Sequence, residues 1–430
     1  MVLSAAYVTP SGQLREARGE RPMALHGRQL VPLQAAELIP LPDGAVLSML
    51  PDRTALSTSG TLPGVPAAAL LPIGYTRTLL PAYERVQSSE FRVQSSLLAP
   101  AFLPLFGYTA VAFQDGEPHV AAMPTDDPRP WQHPDPGYRR LRRLIRRRIA
   151  ETETSAMPRL RTQSSEPGTL LKHIAHCALT YECRSAQHLF YGQGEAALPS
   201  SPTCNAACIG CISDQPEPDI QPHERLSFLP DIDDAVELAA RHLEAAPNAM
   251  ISLGQGCEGE PVLNSRNVEI VRRVRRRTSR GVINVNTNGS RPAMLRRLID
   301  AGLGSIRVSV FSARDEVFRR YYRPVGYSLT DVRECLRLAS SAGLFTSINL
   351  LTFPGITDDS EEVEALVDML TTTGAELVQL RNLNLDPEQL FASLEGIDFA
   401  PIGIRAMAAR FKQAGLQVGS YTHQRSPIHV

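Results

Sequence analysis

Three of the seven cysteines lie within eight residues near the middle of the chain, a density that suits a metal centre. Cys204, Cys208 and Cys211 are separated by three and then by two residues. Pro202 just before them, with Asn205 and Gly210 among them, predicts a loop. Closely spaced cysteine thiolates are the usual ligands of iron–sulfur clusters. Three ligands for a cluster of four irons leave one iron open to another molecule, and chemistry could occur there.

A closed zinc site is the alternative for the same three cysteines. Structural zinc sites take four nitrogen or sulfur ligands, and the nearby His223 could supply the fourth. The chain would then be a zinc-stabilised binding module without catalytic activity. The remaining four cysteines are scattered, so three unrelated buried cysteines are a poorer explanation of the density.

The loop sequence Cys-Asn-Ala-Ala-Cys-Ile-Gly-Cys resembles the cluster-binding signature of the radical S-adenosylmethionine (radical SAM) enzymes. The resemblance implies that Cys204, Cys208 and Cys211 bind a [4Fe–4S] cluster, and that S-adenosylmethionine (SAM) binds the open iron through its amine and carboxylate. Reductive cleavage of SAM would release a 5′-deoxyadenosyl radical, with an external electron donor such as a ferredoxin or flavodoxin. Gly210 stands where the family usually has an aromatic residue near the adenine, and we keep it as a cofactor-binding position.

The composition is that of a soluble globular protein with two or three domains, because 430 residues with 43% hydrophobic and 21% charged side chains can bury a sizeable core. A net charge of −1 creates no overall field for nucleic acid or for an anionic membrane. The first sixteen residues lack the apolar run of a secretory signal. The most apolar window, Leu97–Phe113, contains two prolines and is too short to span a bilayer. We therefore expect a cytoplasmic protein whose clustered cysteines are metal ligands.

The distribution of turns and apolar runs predicts four segments. Proline- and glycine-rich sequence with short apolar runs predicts β-structure near the N-terminus, with the clearest hairpin formed by Phe106–Phe113 and His119–Met123. The predicted segments are a β-rich accessory domain ending in a basic helix (1–150), a linker and helical connector (151–197), a radical SAM core (198–390) and an extension of one helix and one strand (391–430).

From residue 198 onwards, short β-branched runs alternate with helical patterns, which predicts an α/β fold with a parallel sheet. The predicted strands are Ala249–Leu253, Val282–Asn286, Ser305–Val310, Thr346–Leu351 and Leu377–Leu380. With one strand before Cys204, six strands are fewer than a closed eight-stranded barrel requires. The resemblance implies a partial (β/α)6 TIM-like barrel over about residues 198–385, somewhat under half of the chain.

Polar or glycine-rich sequence follows the predicted strands, at the edge where parallel α/β folds place their reactive residues. Gly259-Glu260-Pro261 resembles the Gly-Gly-Glu motif of the family, which implies that Gly259 contacts SAM and that Glu260 binds its amine. The neighbouring Glu258 leaves the register of this motif open. The further positions that the resemblance assigns to SAM binding are Asn286, Ser309 and Ile348.

Other thiols and imidazoles could form a second metal centre. His173, His176, Cys177 and Cys183 lie on a helix predicted over Leu170–Phe190, and histidine and cysteine are common metal ligands. The alternative is that both cysteines are buried structural thiols.

Cys257 is the one candidate for a catalytic side chain, because it precedes the presumed SAM motif by only two residues. It could be a radical relay, a methyl carrier or a cluster ligand. It could equally be a buried thiol without chemistry.

The substrate remains unidentified from the sequence. Six arginines between Arg140 and Arg148 lie on the predicted helix Tyr138–Ile149, which could contact RNA phosphates or be a solvent-exposed amphipathic helix. Radical SAM modification of RNA or of a peptide is therefore an alternative function. The near-neutral net charge does not favour nucleic acid, and we expect no membrane partner.

Overall fold

The computed structural model describes residues 2–85, 103, 105–127, 135–154, 168–215 and 222–420. Contacts between Cα atoms divide the chain into two units. The first consists of Met1–Pro130, Leu350–Val367 and Val378–Tyr421, and the second of Trp131–Asn349, Asp368–Leu377 and Thr422–Val430. Seven of the seventeen residues of the apolar window at 97–113 lie outside the described residues.

The predicted β-structure near the N-terminus is present, with fourteen strands described between residues 2 and 127. They are β1 (Leu3–Val8), β2 (Leu14–Ala17), β3 (Met23–His26), β4 (Gln29–Pro32), β5 (Leu38–Pro40), β6 (Val46–Met49), β7 (Arg53–Ser57), β8 (Gly60–Thr61), β9 (Val65–Leu70), β10 (Tyr75–Arg77), β11 (Leu80–Pro81), β12 (Tyr83–Arg85), β13 (Tyr108–Gln114) and β14 (Glu117–Pro124). The predicted hairpin is confirmed as β13–β14, which pair antiparallel with Val111 opposite Val120.

The first unit is built on an antiparallel sheet with the strand path β10-β14-β13-β1-β9-β6, to which β2 and β5 add at its sides. Two three-stranded sheets, β11-β3-β4 and β12-β7-β8, belong to the same unit. Its core is rich in small side chains: Ala110, Ala112 and Ala121 are buried with Leu38 and Leu79. The same unit contains a buried ion pair, in which Arg53 Nη2 lies 2.7 Å from an Asp386 carboxylate oxygen.

The second unit begins, within the described residues, with three helices: α1 (Arg139–Thr154), α2 (Thr169–Leu179) and α3 (Arg184–Tyr191). The predicted basic helix is α1, which buries Leu141 and Ile145 and continues into the predicted linker. Residues 155–167 of that linker lie outside the described residues. The single helix predicted over Leu170–Phe190 is wrong, because Glu182 adopts a positive φ of 50° and the extended Cys183 starts a new helix.

The predicted parallel sheet is confirmed as an open sheet of seven strands in chain order. Its strands are β15 (Glu195–Ala197), β16 (Met250–Leu253), β17 (Val282–Thr287), β18 (Ser305–Val310), β19 (Phe345–Thr352), β20 (Leu377–Asn382) and β21 (Gln417–Gly419). The first four pair in parallel, with Ser252 opposite Asn284 and Asn286 opposite Arg307. The α/β class and the partial barrel are therefore confirmed, and β21 is the strand predicted in the extension.

Helices connect these strands. They are α4 (Ile232–Ala245), α5 (Arg266–Arg277), α6 (Pro292–Asp300), α7 (Asp315–Tyr322), α8 (Leu329–Ser341), α9 (Ser360–Thr373), α10 (Pro387–Ser393) and α11 (Ile404–Gln413). The sequence analysis missed α7 and α10, which are only eight and seven residues long. Among the described residues, no helix has the length and apolar character needed to cross a membrane.

Candidate functional site

The segment that carries the three clustered cysteines, residues 198–215 (the cysteine loop), follows β15 and is held at its start by Glu258. One Glu258 carboxylate oxygen accepts hydrogen bonds from the backbone N–H groups of Ser200 and Ser201 at 2.6 and 2.8 Å. The other accepts from the N–H groups of Gly254 and Gln255, both at 2.8 Å. Burial raises the pKa of Glu258 to about 7, and these hydrogen bonds oppose that rise. Glu258 therefore fastens the cysteine loop to the turn after β16.

Gly259 brings the same two segments into backbone contact. Its N–H donates to the Ser201 carbonyl at 2.7 Å, and the Glu260 N–H donates to the Thr203 carbonyl at 2.7 Å. A Cβ atom on Gly259 would lie only 2.1 Å from the Thr203 carbonyl oxygen. The site needs glycine here because a side chain cannot fit between two hydrogen-bonded backbones. The predicted SAM motif thus lies directly beside the residue that precedes Cys204.

Gly259→Ala should therefore destabilise the second unit and displace the cysteine loop. We expect the free energy of unfolding to fall by about 3 kcal/mol, the upper end of the usual cost of overpacking, because backbone atoms rather than a side chain must move. Gly256→Ala is the matched control, since its Cβ would meet only the side chain of Ile212, whose terminal carbon would lie at 2.7 Å. Urea unfolding of both variants measures the difference, and equal stability of the two would contradict this account.

Glu260 is buried as deeply as Glu258 and binds the neighbouring strand end. Its carboxylate accepts hydrogen bonds from Thr287 Oγ1 at 2.6 Å, from the Asn288 N–H at 2.7 Å and from the Val262 N–H at 3.1 Å. Burial raises the pKa of Glu260 to about 7, although these hydrogen bonds act to lower it. Binding of the SAM amine by Glu260 stays a prediction, and in the structure both oxygens already contact protein donors.

The middle of the cysteine loop pairs with the C-terminal end of α7, a helix that the sequence analysis missed. The Ala207 N–H donates to the Tyr322 carbonyl at 3.0 Å, and the Ile209 N–H donates to the Tyr321 carbonyl at 3.1 Å. On its other side, Asn205 Oδ1 accepts a hydrogen bond from Asn288 Nδ2 at 3.0 Å. Backbone contacts on several sides therefore fix the course of the loop.

All three cysteines of the loop are free thiols that keep some solvent exposure. Burial raises the pKa of Cys204 and raises that of Cys208 further, because neither thiolate is well solvated. Cys211 Sγ accepts a hydrogen bond from Arg225 Nη2 at 3.4 Å, and the same guanidinium pairs with Asp214 at 2.7 Å. Arg225 therefore links the last cysteine of the loop to Asp214.

The spacing of the loop thiols bears on which metal centre fits them. Within the described parts of the chain, one group of three possible metal ligands has all its ligand atoms within 4.8 Å of one another. Its members are His173, Cys177 and Cys257. The loop cysteines form no such group. A single tetrahedral zinc ion with Zn–S bonds of about 2.3 Å needs sulfurs about 3.8 Å apart. A cluster in which each thiolate binds a different iron needs wider spacing, so the donor set fits an iron–sulfur cluster better than a closed zinc site.

A buried polar network covers one face of strands β15 to β18. Arg307 forms a double hydrogen bond with the Glu195 carboxylate, at 3.0 and 3.1 Å. Glu195 also accepts from Ser252 Oγ at 2.6 Å, and Asn284 Nδ2 donates to that hydroxyl at 3.1 Å. The sequence analysis missed Glu195 and Arg307. Strands of a parallel sheet are usually apolar on both faces, so the polar residues that alternate along these strands could have indicated a buried polar network.

The predicted SAM positions beyond the loop lie on these strands. Asn286 belongs to the network, because its Oδ1 accepts from Arg307 Nη1 at 2.9 Å and its Nδ2 donates to the Gly254 carbonyl at 2.6 Å. Ser309 lies two residues after Arg307, so both side chains are on the same face of β18. Ile348 is fully buried in β19. SAM contacts by Asn286, Ser309, Ile348 and Gly210 stay predictions.

Cys257 is buried and shares a hydrogen bond with the Cys177 thiol. That hydrogen bond lowers the pKa of Cys177 to about 5, with a further contribution from His173, whereas it raises the pKa of Cys257. Cys183 and His176 are not part of the three-ligand group.

Comparison with known proteins identifies the domain that these residues form. Residues 198–370 match the sequence profile of the Radical SAM superfamily. The GTP 3′,8-cyclase of Thermodesulfovibrio yellowstonii is 30% identical over 168 residues, which cover 38% of this chain and 48% of that protein. The GTP 3′,8-cyclase of Limosilactobacillus fermentum is 24% identical over 250 residues, which cover 53% of this chain and 68% of that protein. This chain therefore spans about half the length of the first relative.

Two solved structures show a partial likeness. Methylornithine synthase has a TM-score of 0.36 at 16% identity, covering 67% of this chain and 84% of that chain. The [FeFe]-hydrogenase maturase HydG from Carboxydothermus hydrogenoformans has a TM-score of 0.34 at 15% identity, covering 66% of this chain and 73% of that chain. The family identification depends on the sequence profile, whose matched residues include the whole cysteine loop and the strands β16 to β19. Residues 198–370 therefore contain a radical SAM domain.

Proposed function

We propose that the chain is a radical SAM enzyme whose cluster is bound by Cys204, Cys208 and Cys211. The observation that carries the proposal is the cysteine loop itself: three accessible thiols within a radical SAM domain, held by Glu258 and Gly259 beside the predicted SAM motif. When bound, a [4Fe–4S] cluster would supply one electron that cleaves SAM into methionine and a 5′-deoxyadenosyl radical, and this radical abstracts hydrogen from the substrate.

The protein's contribution in this proposal is placement. Glu258 and Gly259 hold the start of the cysteine loop against the turn after β16, and α7 holds its middle. Asn286 and Ser309 present amide and hydroxyl groups on the polar face of β17 and β18, where they suit the hydroxyls of a ribose. Arg225 donates a hydrogen bond to the Cys211 sulfur.

The proposed catalytic core is residues 198–390, preceded by a β-rich accessory domain (1–150) and a connector (151–197) and followed by an extension (391–430). An external one-electron donor such as a ferredoxin or flavodoxin would supply the reductant, and we place the reaction in the cytoplasm, where thiols stay reduced. The GTP 3′,8-cyclases support the class of chemistry. Their substrate is not carried over, because the first of them aligns with only 38% of this chain.

Release of 5′-deoxyadenosine tests the proposal. We expect the full chain, purified anaerobically and reconstituted with iron and sulfide, to convert SAM to 5′-deoxyadenosine and methionine once dithionite is added. The same protein without dithionite is the control, since an electron is required to break the bond. A fully loaded and reduced protein that leaves SAM intact would refute the proposed function.

A further inference from the structure

A second group of metal-type ligands lies outside the cysteine loop. The ligand atoms of His173, Cys177 and Cys257 all lie within 4.8 Å of one another, and within the described parts of the chain they form the one such group. Cys177 and Cys257 are buried, and His173 is partly exposed. Neither cysteine is in a disulfide. The arrangement has two sulfur donors and one nitrogen donor that converge on one point.

The distance between the His173 and Cys177 ligand atoms matches a single tetrahedral ion. Bond lengths of about 2.3 Å for Zn–S and about 2.05 Å for Zn–N, at a tetrahedral angle, place the sulfur and the nitrogen about 3.6 Å apart. His173 Nε2 and Cys177 Sγ are 3.6 Å apart. Sulfurs on an iron–sulfur cluster each bind a different iron and lie further from one another, so this group is too close for an auxiliary cluster.

The scaffold fixes all three ligands. His173 and Cys177 are four residues apart on α2, so their side chains lie on one face of the helix. The Cys177 carbonyl accepts the Cys183 N–H at 3.1 Å, and the Cys257 carbonyl accepts the Leu226 N–H at 2.7 Å. A helix and a turn with anchored backbones can present ligands without large rearrangement, which favours binding of a metal by the folded chain.

We propose that His173, Cys177 and Cys257 bind a single Zn²⁺ ion, separate from the cluster proposed for the cysteine loop. Two sulfurs and one nitrogen in tetrahedral spacing favour zinc over the hard cations, which prefer oxygen ligands. Three protein ligands leave the fourth position to water or to a substrate atom. Because Cys257 is adjacent to Glu258, the ion would connect α2 to the turn that anchors the cysteine loop.

Cobalt substitution in a variant without the loop cysteines tests this site independently of the proposed cluster. The full chain with Cys204→Ala, Cys208→Ala and Cys211→Ala is stripped with a chelator under anaerobic conditions and titrated with Co²⁺. We expect one equivalent to bind, with the intense visible bands of tetrahedral cobalt and a sulfur-to-cobalt charge-transfer band. One equivalent of Zn²⁺ should abolish both.

Point variants in that background identify the ligands. Adding Cys177→Ser or Cys257→Ser should remove the charge-transfer band, and His173→Ala should weaken Co²⁺ binding at least tenfold. His176→Ala is the matched control, because it removes an exposed imidazole from the same helix, and it should bind one equivalent unchanged. Far-UV circular dichroism of the His173 and His176 variants checks that α2 remains folded.

The unaltered chain gives a second readout. We expect about one zinc per chain in the anaerobically purified protein, and Cys177→Ser should lose the zinc while keeping its iron. No cobalt binding in the triple variant, or cobalt binding that survives Cys177→Ser, would overturn the proposal. Loss of iron and sulfide rather than zinc from Cys177→Ser would do the same, because it would assign these ligands to an auxiliary cluster.

Discussion

The Cys208→Ala variant is expected to purify without iron–sulfur cluster and to release no 5′-deoxyadenosine from SAM. Cys208 is the middle thiol of the cysteine loop, and burial raises its pKa more than that of Cys204. With only two cysteines left, the loop cannot hold a cluster on three corners, so iron should fall from about four per chain to a background level.

Cys335→Ala is the matched control for this prediction. Cys335 is also a buried free thiol of the second unit, but its sulfur donates to the Gly289 carbonyl at 3.2 Å and it lies on α8. We expect this variant to keep its iron, its sulfide and its visible absorption. Equal iron content in the Cys208 and Cys335 variants, whether full or lost, would contradict the assignment of the cluster to the loop.

The largest loss of stability is expected from Arg307→Met. Arg307 and Glu195 are nearly inaccessible to solvent, with exposed side-chain fractions of 4% and 11%. Removal of the guanidinium leaves the Glu195 carboxylate buried without its cation, and breaking a buried pair in this way costs about 3–5 kcal/mol. Asn286 also loses a donor at its Oδ1. Urea unfolding of the metal-free chain measures the change.

A double variant separates the charge from the packing. In Glu195→Gln with Arg307→Met the buried charge is gone, and Ser252 keeps an amide oxygen as acceptor, so at least about 1 kcal/mol of the loss should be recovered. Arg276→Met, at an exposed position on α5, should change stability by about 0.5 kcal/mol or less. If Arg307→Met costs no more than Arg276→Met, the network does not stabilise the sheet.

The local patterns of the sequence were sufficient for the strands and for the cysteine loop. Ser305–Val310 was predicted with the bounds that the structure has, because a short β-branched run between turns is buried on a parallel sheet. The short helix α7 was missed, since eight residues with two charged pairs and four large side chains give a weak helical pattern. That omission matters, because the end of α7 holds the middle of the loop.

Long-range partners could not be derived from sequence. Arg307 and Glu195 are 112 residues apart, so nothing local indicates that they pair. For the same reason, the sequence could not show which of Glu258 and Glu260 is the glutamate of the predicted SAM motif. Both are buried, but one binds the start of the cysteine loop and the other binds the end of β17, and only the tertiary fold distinguishes them.

The sequence also could not show whether Cys177 and Cys257 bind a second iron–sulfur cluster or a single metal ion. Cys177 and Cys257 are 80 positions apart in the printed sequence, and their convergence with His173 is a property of the fold. We propose a single ion because the three ligand atoms lie within 4.8 Å of one another. Cys183, which was considered together with them, begins α3 instead.

The central claim is that Cys204, Cys208 and Cys211 hold a [4Fe–4S] cluster with one iron open to SAM. Electron paramagnetic resonance of the dithionite-reduced, anaerobically reconstituted chain tests it most directly, before and after addition of SAM, on protein with iron and sulfide quantified. We predict about four irons and four sulfides per chain and a cluster signal whose g-values change when SAM binds. A colourless chain with zinc in place of iron, or a cluster signal unaffected by SAM, would contradict the claim.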